Sequence, residues 1–154
     1  MNRFNKALAV MMLLGAAPAS FGSCNVSVTS LSFGAYDVFD PLPNDSMATI
    51  QVSCDFSVQV GNPDVVVAIG PSLTSGGFYP RQMRTASGDR LNYNLFIDPG
   101  ATIIWGDGVA GGEIVKLKNM KNKTATLQVY GRLPAGQDVG VGSYTDSVTV
   151  FLDW

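Results

Sequence analysis

Cys24 and Cys54 are the only thiols in this chain, and it contains no histidine. A zinc site would have to combine carboxylates with two thiols, outside the usual Cys/His sets. The chemistry the pair offers is therefore a structural bridge. Serine, aspartate and tyrosine are plentiful, but a nucleophile needs a base to take its proton. No histidine can play that part, and no serine opens the S-x-x-K element of Ser-Lys catalysis. Asp37, Asp40 and Asp107 are candidate paired carboxylates of the kind glycoside hydrolysis uses. Most of the 12 acidic residues sit beside Gly, Pro or Asn, however, where Asp caps turns. "WGDG" (105–108) supplies one carboxylate where calcium wants six to eight oxygens, and it lacks the lysine of a phosphate loop. It reads as a tight turn. Asn122-Lys123-Thr124 matches a glycosylation sequon, a frequent chance tripeptide. Neither catalysis nor a cofactor or metal is expected.

The compartment decides what the two thiols do. Arg3 and Lys6 precede an apolar or Gly run from Ala7 to Ala17, and Ala17-Pro18-Ala19 carries the small residues of a cleavage site. The run is too short to cross ~30 Å of hydrocarbon. Residues 1–19 are expected to be a secretory signal peptide, with processing after Ala19 and no membrane span afterwards. A lipoprotein box at Phe21-Gly22-Ser23-Cys24 fits less well, because Phe is a poor first residue and lipidation of Cys24 would leave Cys54 unpaired. In an oxidising compartment the two cysteines pair. Their loop of about 30 residues is worth roughly 3–4 kcal/mol in the chain-entropy model.

Removing 19 of the 154 residues leaves 135, enough for one domain, residues 20–154. Two of the 10 basic residues leave with the leader, so 8 face 12 acids and the net charge is −4. Nucleic acid and anionic bilayers call for a basic surface and are not expected partners. Lys116, Lys118, Lys121 and Lys123 form the basic cluster, at the near-alternate spacing of a solvated strand or loop face.

The elements that must carry these residues are strands. In "MATIQVSC" Ala48, Ile50, Val52 and Cys54 share one face, and in "LNYNLFI" Leu91, Tyr93, Leu95 and Ile97 do the same. "TATLQVYG" repeats the pattern with Ala125, Leu127 and Val129. "SYTDSVTVFLDW" sets Tyr144, Val148, Val150, Leu152 and Trp154 against Thr145, Ser147, Thr149 and Asp153. "DVVVAIG" is the one near-continuous apolar strand, which suits a central position. Gly- and Pro-rich turn signals separate these runs, and no amphipathic helix follows the leader, so an antiparallel sandwich is expected.

Several segments taken together resemble the spore coat protein U domain family, the pilin subunits of archaic chaperone/usher pili. They are the early Cys24, "LSFGAYD" (31–37), "ATIQVSC" (48–54), "PRQMRTASGDRLNYNLFID" (80–98), "IIWGDG" (103–108) and "YGRLPAGQDVGVGSYTDSVTVFLDW" (130–154). Arg81 or Arg84 occupies the R-x-M position and Tyr93 the L-x-Y element. The resemblance spans essentially the whole mature chain. It implies an all-β fold: an incomplete immunoglobulin-like antiparallel sandwich completed by a donor strand from another chain. The donor is first a periplasmic pilus chaperone and then, at the outer-membrane usher, the N-terminal segment of the next pilus subunit. The alternating strand at 144–154 has no following hairpin partner, an edge that needs covering. Val26, Val28, Val148, Val150, Leu152 and Trp154 are the expected acceptor groove.

A donor segment takes ~10 alternating residues to fill a groove of ordinary strand length. Cleavage after Ala19 leaves four residues before Cys24, which departs from the polymerising members of the family. A terminal, tip position is therefore expected, at the cell surface or secreted, with a role in adhesion or biofilm formation. Phe39, Phe78, Tyr79 and Trp105 are the candidate adhesive loop aromatics. The same rings also suit a plug for the sandwich end (Phe78, Tyr79) or the core (Trp105). Two other readings stand beside this one: a self-contained secreted coat or matrix protein, and a carbohydrate-binding sandwich.

Overall fold

A computed structural model describes residues 22–56 and 61–154. The leader, its expected cleavage site after Ala19, Ser20 and Phe21 lie outside the described residues. Alternation in the sequence becomes strands wherever a neighbour is available to pair: β1 (Ser23–Val28), β2 (Asn44–Asp55), β3 (Val65–Ile69), β4 (Arg81–Arg84), β5 (Arg90–Phe96), β6 (Val115–Leu117), β7 (Lys123–Leu133) and β8 (Val150–Asp153). No helix occurs among the described residues, so none there crosses a membrane.

The strands form two antiparallel sheets, β1-β2-β7-β5-β4 and β6-β3-β8. β2 and β7 pair over their length, from Asn44 opposite Leu133 to Cys54 opposite Lys123. This register turns Ala48, Ile50 and Val52 inward together with Val129 and Leu133. Facing them are Val65, Val67 and Ile69 of β3, the middle strand of the smaller sheet. Its apolar run reflects that central position, as expected from "DVVVAIG". Trp105 fills the space between the layers, fully buried, and its indole N–H donates to the Val67 carbonyl at 3.1 Å. The bridge Cys24–Cys54 is formed and joins residues directly opposite in the β1–β2 ladder.

One expected strand is shorter than its pattern. The alternation from Tyr144 onward continues to the end of the chain, yet ladder pairing covers Val150 to Asp153. Upstream, the extended segment 144–149 is tied to its neighbours by single contacts: an isolated bridge between Thr145 and Arg84, the Leu73 N–H to the Ser147 carbonyl (3.1 Å), and the Gly70 N–H to the Thr149 carbonyl (2.8 Å). A ladder needs a continuous partner. Here the neighbour bends away after Ile69 into the 70–80 loop.

Candidate strand-accepting groove

Among the described residues β1 pairs with β2 alone and β8 with β3 alone, so each presents there an edge without a ladder partner. Odd-numbered residues 145, 147 and 149 spend their backbone groups on residues 84, 73 and 70. By strand geometry the even-numbered residues of this segment turn theirs to the opposite, open side. Between the two edges runs a groove made of two cavities, about 910 and 370 Å³, that share Leu31, Phe33, Met83, Tyr144 and Thr145 in their linings. Its floor is the inward face of the large sheet, including Ile50, Tyr93, Leu95 and Val129.

The near wall is the extended segment after β1. Asn44 Nδ2 donates to the carbonyls of Phe33 and Ala35 at 3.0 Å each, and the Tyr36 hydroxyl donates to the Pro134 carbonyl at 2.9 Å. Glycine at 131 makes the fit possible: a Cβ there would lie 2.7 Å from Leu31 Cδ1 and 2.9 Å from Phe33 Cζ. The far wall is 144–150, whose inward positions are Tyr144, Asp146, Val148 and Val150. Among the expected groove residues, Val28, Val148 and Val150 line the cavity. Leu152 and Trp154 do not line it: Leu152 packs on the core opposite Val67, and Trp154 meets Phe56 edge-on at 6.3 Å. Val26 is exposed on β1, two ladder pairs from Val28 at the cavity lining.

Outside the cavity lining, beside Trp105, lies a buried cation. Arg81 is fully buried, and its Nη2 donates to the Gly70 and Trp105 carbonyls (2.8 and 2.9 Å) while Nη1 donates to Asn94 Oδ1 (2.7 Å). Its guanidinium carbon lies 5.3 Å from the Phe78 ring centroid. Burial lowers the Arg81 pKa, and electrostatic coupling to the nearby Tyr93 and Asp146 opposes that shift. No carboxylate touches it directly; carbonyl dipoles and the ring face replace water around the charge. The neighbouring Tyr93 hydroxyl donates to Asp146 Oδ2 at 2.7 Å, and burial, with that bond second, holds the phenol protonated well beyond its ordinary range.

The loop aromatics divide. Phe39 (90% exposed) and Tyr79 (81%) are open to solvent, and Phe78 is half-buried over Arg81. Trp105 corrects the expectation of an adhesive role, because it has no exposed surface and its N–H is used inside the core. The acids behave as turn caps. Asp37 and Asp40 accept from the N–H groups of Phe39 and Leu42. Asp107 accepts from Val109, Ala110 and Gly111 N–H groups, which hold its carboxyl below the ordinary range. No group of three or more His, Cys, Asp or Glu side chains is gathered among the described residues. In the basic cluster Lys118 pairs with Asp64, and Lys116 and Lys123 are exposed. The sequon residue Asn122 uses its Oδ1 to accept from the Phe56 N–H.

Reading the sequence missed Leu31, Phe33, Met83, Tyr93 and Asp146 as groove residues. Alternation in "LSFGAYD" was the available signal for the first two, and the one acid on an apolar face was the signal for Asp146.

These features define an immunoglobulin-like antiparallel sandwich whose described strands leave a groove between β1 and the 144–150 segment. The family model described as Spore Coat Protein U domain matches residues 10–151, and the chain belongs to that family. Protein U of Myxococcus xanthus is 30% identical over 144 residues, covering 85% of this chain and 77% of that protein. Among solved structures, the CsuC–CsuE chaperone–tip adhesion subunit pre-assembly complex from archaic chaperone-usher Csu pili of Acinetobacter baumannii contains a similar chain. It aligns with a TM-score of 0.57 at 18% identity over 86% of this chain, which spans 40% of that one. This likeness carries the fold.

Proposed function

We propose that the chain is a subunit of an archaic chaperone/usher pilus, exported through the periplasm to the cell surface and completed by a strand from another chain. The observation that carries this reading is the groove between the edges of β1 and β8 that have no ladder partner among the described residues. A strand laid there pairs both edges and covers the half-exposed valines, the mode of β-strand addition. Its partners are a periplasmic pilus chaperone, the outer-membrane usher and the donor strand of the next subunit. The solved relative named above is itself a complex of a chaperone with a tip subunit. A terminal place in the fibre follows if processing falls after Ala19, and Phe39 and Tyr79 are then the rings offered to a surface.

Co-expression with a periplasmic pilus chaperone, followed by intact-mass and N-terminal analysis, tests the proposal. A one-to-one complex is expected, with an oxidised Cys24–Cys54 mass and a start near Ser20. A longer N-terminal segment would move the subunit into the shaft. The double replacement Phe39→Ser and Tyr79→Ser is expected to reduce surface attachment and leave complex formation unchanged; unchanged attachment would remove the adhesive role. The family's own description favours a second reading, a self-contained secreted coat protein. A stable chaperone-free monomer would support it.

A further inference from the structure

The far wall of the groove contains a residue that its own pattern argues against. Tyr144, Val148 and Val150 point inward with Asp146 among them, a half-buried carboxylate in an apolar face. Strand capture by apolar burial alone gives no reason for a charge at that position, since a carboxylate must be desolvated when the groove fills. Both of its oxygens are engaged: Oδ2 by the buried Tyr93 hydroxyl on the floor (2.7 Å), Oδ1 by the Thr74 N–H of the 70–80 loop (3.1 Å). The backbone of the segment is otherwise held at 145, 147 and 149 by single contacts, without a ladder.

We infer that Asp146 is a positioning residue for strand capture, pinning the unladdered wall 144–149 to the floor through Tyr93 and to the adjoining loop through Thr74 so that its free edge is presented before the donor arrives. This inference rests on the strand-accepting reading. Four points of attachment follow: the Thr145 bridge on one flank, the Ser147 and Thr149 carbonyls on the other, and between them the carboxylate, held by Tyr93 of the floor and by Thr74. The wall is thereby ordered in advance, and less of the ordering cost falls on the binding step. The acid also places a negative charge near buried Arg81 without contacting it.

The test compares Asp146→Val, Asp146→Asn and Tyr93→Phe with the unaltered chain, each co-expressed with a periplasmic pilus chaperone. The readouts are the dissociation rate of the complex and amide exchange across 144–149. Asp146→Val restores unbroken alternation and adds apolar surface, so burial alone predicts slower dissociation. Positioning predicts the opposite: dissociation faster by about tenfold or more, the scale of a hydrogen bond to a charged acceptor. Exchange at 144–149 rises with it. Tyr93→Phe keeps the ring and deletes the hydroxyl, so it is the variant least able to disturb folding, and the same direction is expected. Combined with Asp146→Val it adds nothing further. Asp146→Asn, which keeps an acceptor for Thr74, falls between. Unchanged or slower dissociation in Asp146→Val and Tyr93→Phe overturns the positioning role while the strand-accepting reading stands. An unaltered chain that forms no complex and persists as a monomer overturns both.

Discussion

Valine appears on both seams of this sandwich with opposite fates. On the closed seam, Val52 of β2 and Val65 and Val67 of β3 are fully buried in the core that Trp105 shares. On the open seam, Val28 is 51% exposed and Val148 and Val150 are half-buried, although each stands in an alternating run of the same kind. The difference is a missing neighbour. The closed seam satisfies its polar groups within the chain, down to a buried guanidinium shared among carbonyls, whereas the open seam leaves two strand edges without a ladder partner among the described residues and an apolar floor between them.

Variants on the two seams should therefore fail differently. Replacing Arg81 with Met is expected to produce the largest loss. It strips the donor from four acceptors, the carbonyls of Gly70, Ile69 and Trp105 and the Asn94 amide oxygen. Asn94 Oδ1 keeps the Leu95 N–H, and at about 1–3 kcal/mol for each carbonyl left unsatisfied the loss is about 4 kcal/mol or more. Denaturant midpoints of the strand-completed protein measure it, and a small effect would mean that the closed seam relaxes around the gap. Replacing both Cys24 and Cys54 with Ser comes next, at roughly 3–4 kcal/mol by loop closure. The same titration reports it, with or without a strand in the groove.

On the open seam, Val28→Asp is expected to leave the unfilled subunit's own stability within about 0.5 kcal/mol, as for a surface change. It should weaken strand capture by roughly a hundredfold, because the filled groove desolvates the new charge. Pull-down with the chaperone reads this directly, and equal losses in both measurements would erase the distinction between the seams. The smallest effect belongs to the Asp45–Arg132 pair on the outer face, where Arg132 Nε and Nη2 donate to the two carboxylate oxygens at 2.7 Å each. The Arg132 hydrogen bond holds Asp45 below its ordinary value of 3.8. Its contribution is thus complete above the unfolded carboxylate's pKa and lost as pH falls through the lowered folded value. Asp45→Asn is expected to cost at most about 1 kcal/mol at neutral pH, as exposed pairs do. The gap between variant and parent should close in acid; a gap that persists there would show a role beyond the ion pair.

Much of the sandwich was legible in advance because a two-residue period reports which face is buried. The inward sets of β2, β5 and β7 follow the alternation, and the apolar run at 65–69 lies in the central strand. The groove was legible only in part. Val28, Val148 and Val150 line it, while Leu152 and Trp154, equally apolar and in phase, pack on the core and on Phe56 instead. Phase says which face a residue takes, but its level along the sheet decides whether a neighbour covers it. Trp105 shows the same limit, since the sequence left the ring between an adhesive loop and the core, and only the packing decides for the core. Gly106 and Gly111 explain the turn: a Cβ on Gly106 would fall 1.5 Å from the Gly111 carbonyl oxygen, so the backbone folds tightly enough to send the indole inward.

Composition and local pattern determined, by themselves, an all-β chain with one thiol pair, no histidine chemistry and acids placed to cap turns. These properties depend on residue type and short-range spacing, which the chain carries with it. Tertiary structure alone decided that the near wall crosses over Gly131, that Tyr93 and Asp146, 53 residues apart, share a hydrogen bond, and that Val28 and Val150 line one groove from opposite sheets. Each of these requires distant segments to meet at a particular level of the sheet, and a period of two is the same at every level.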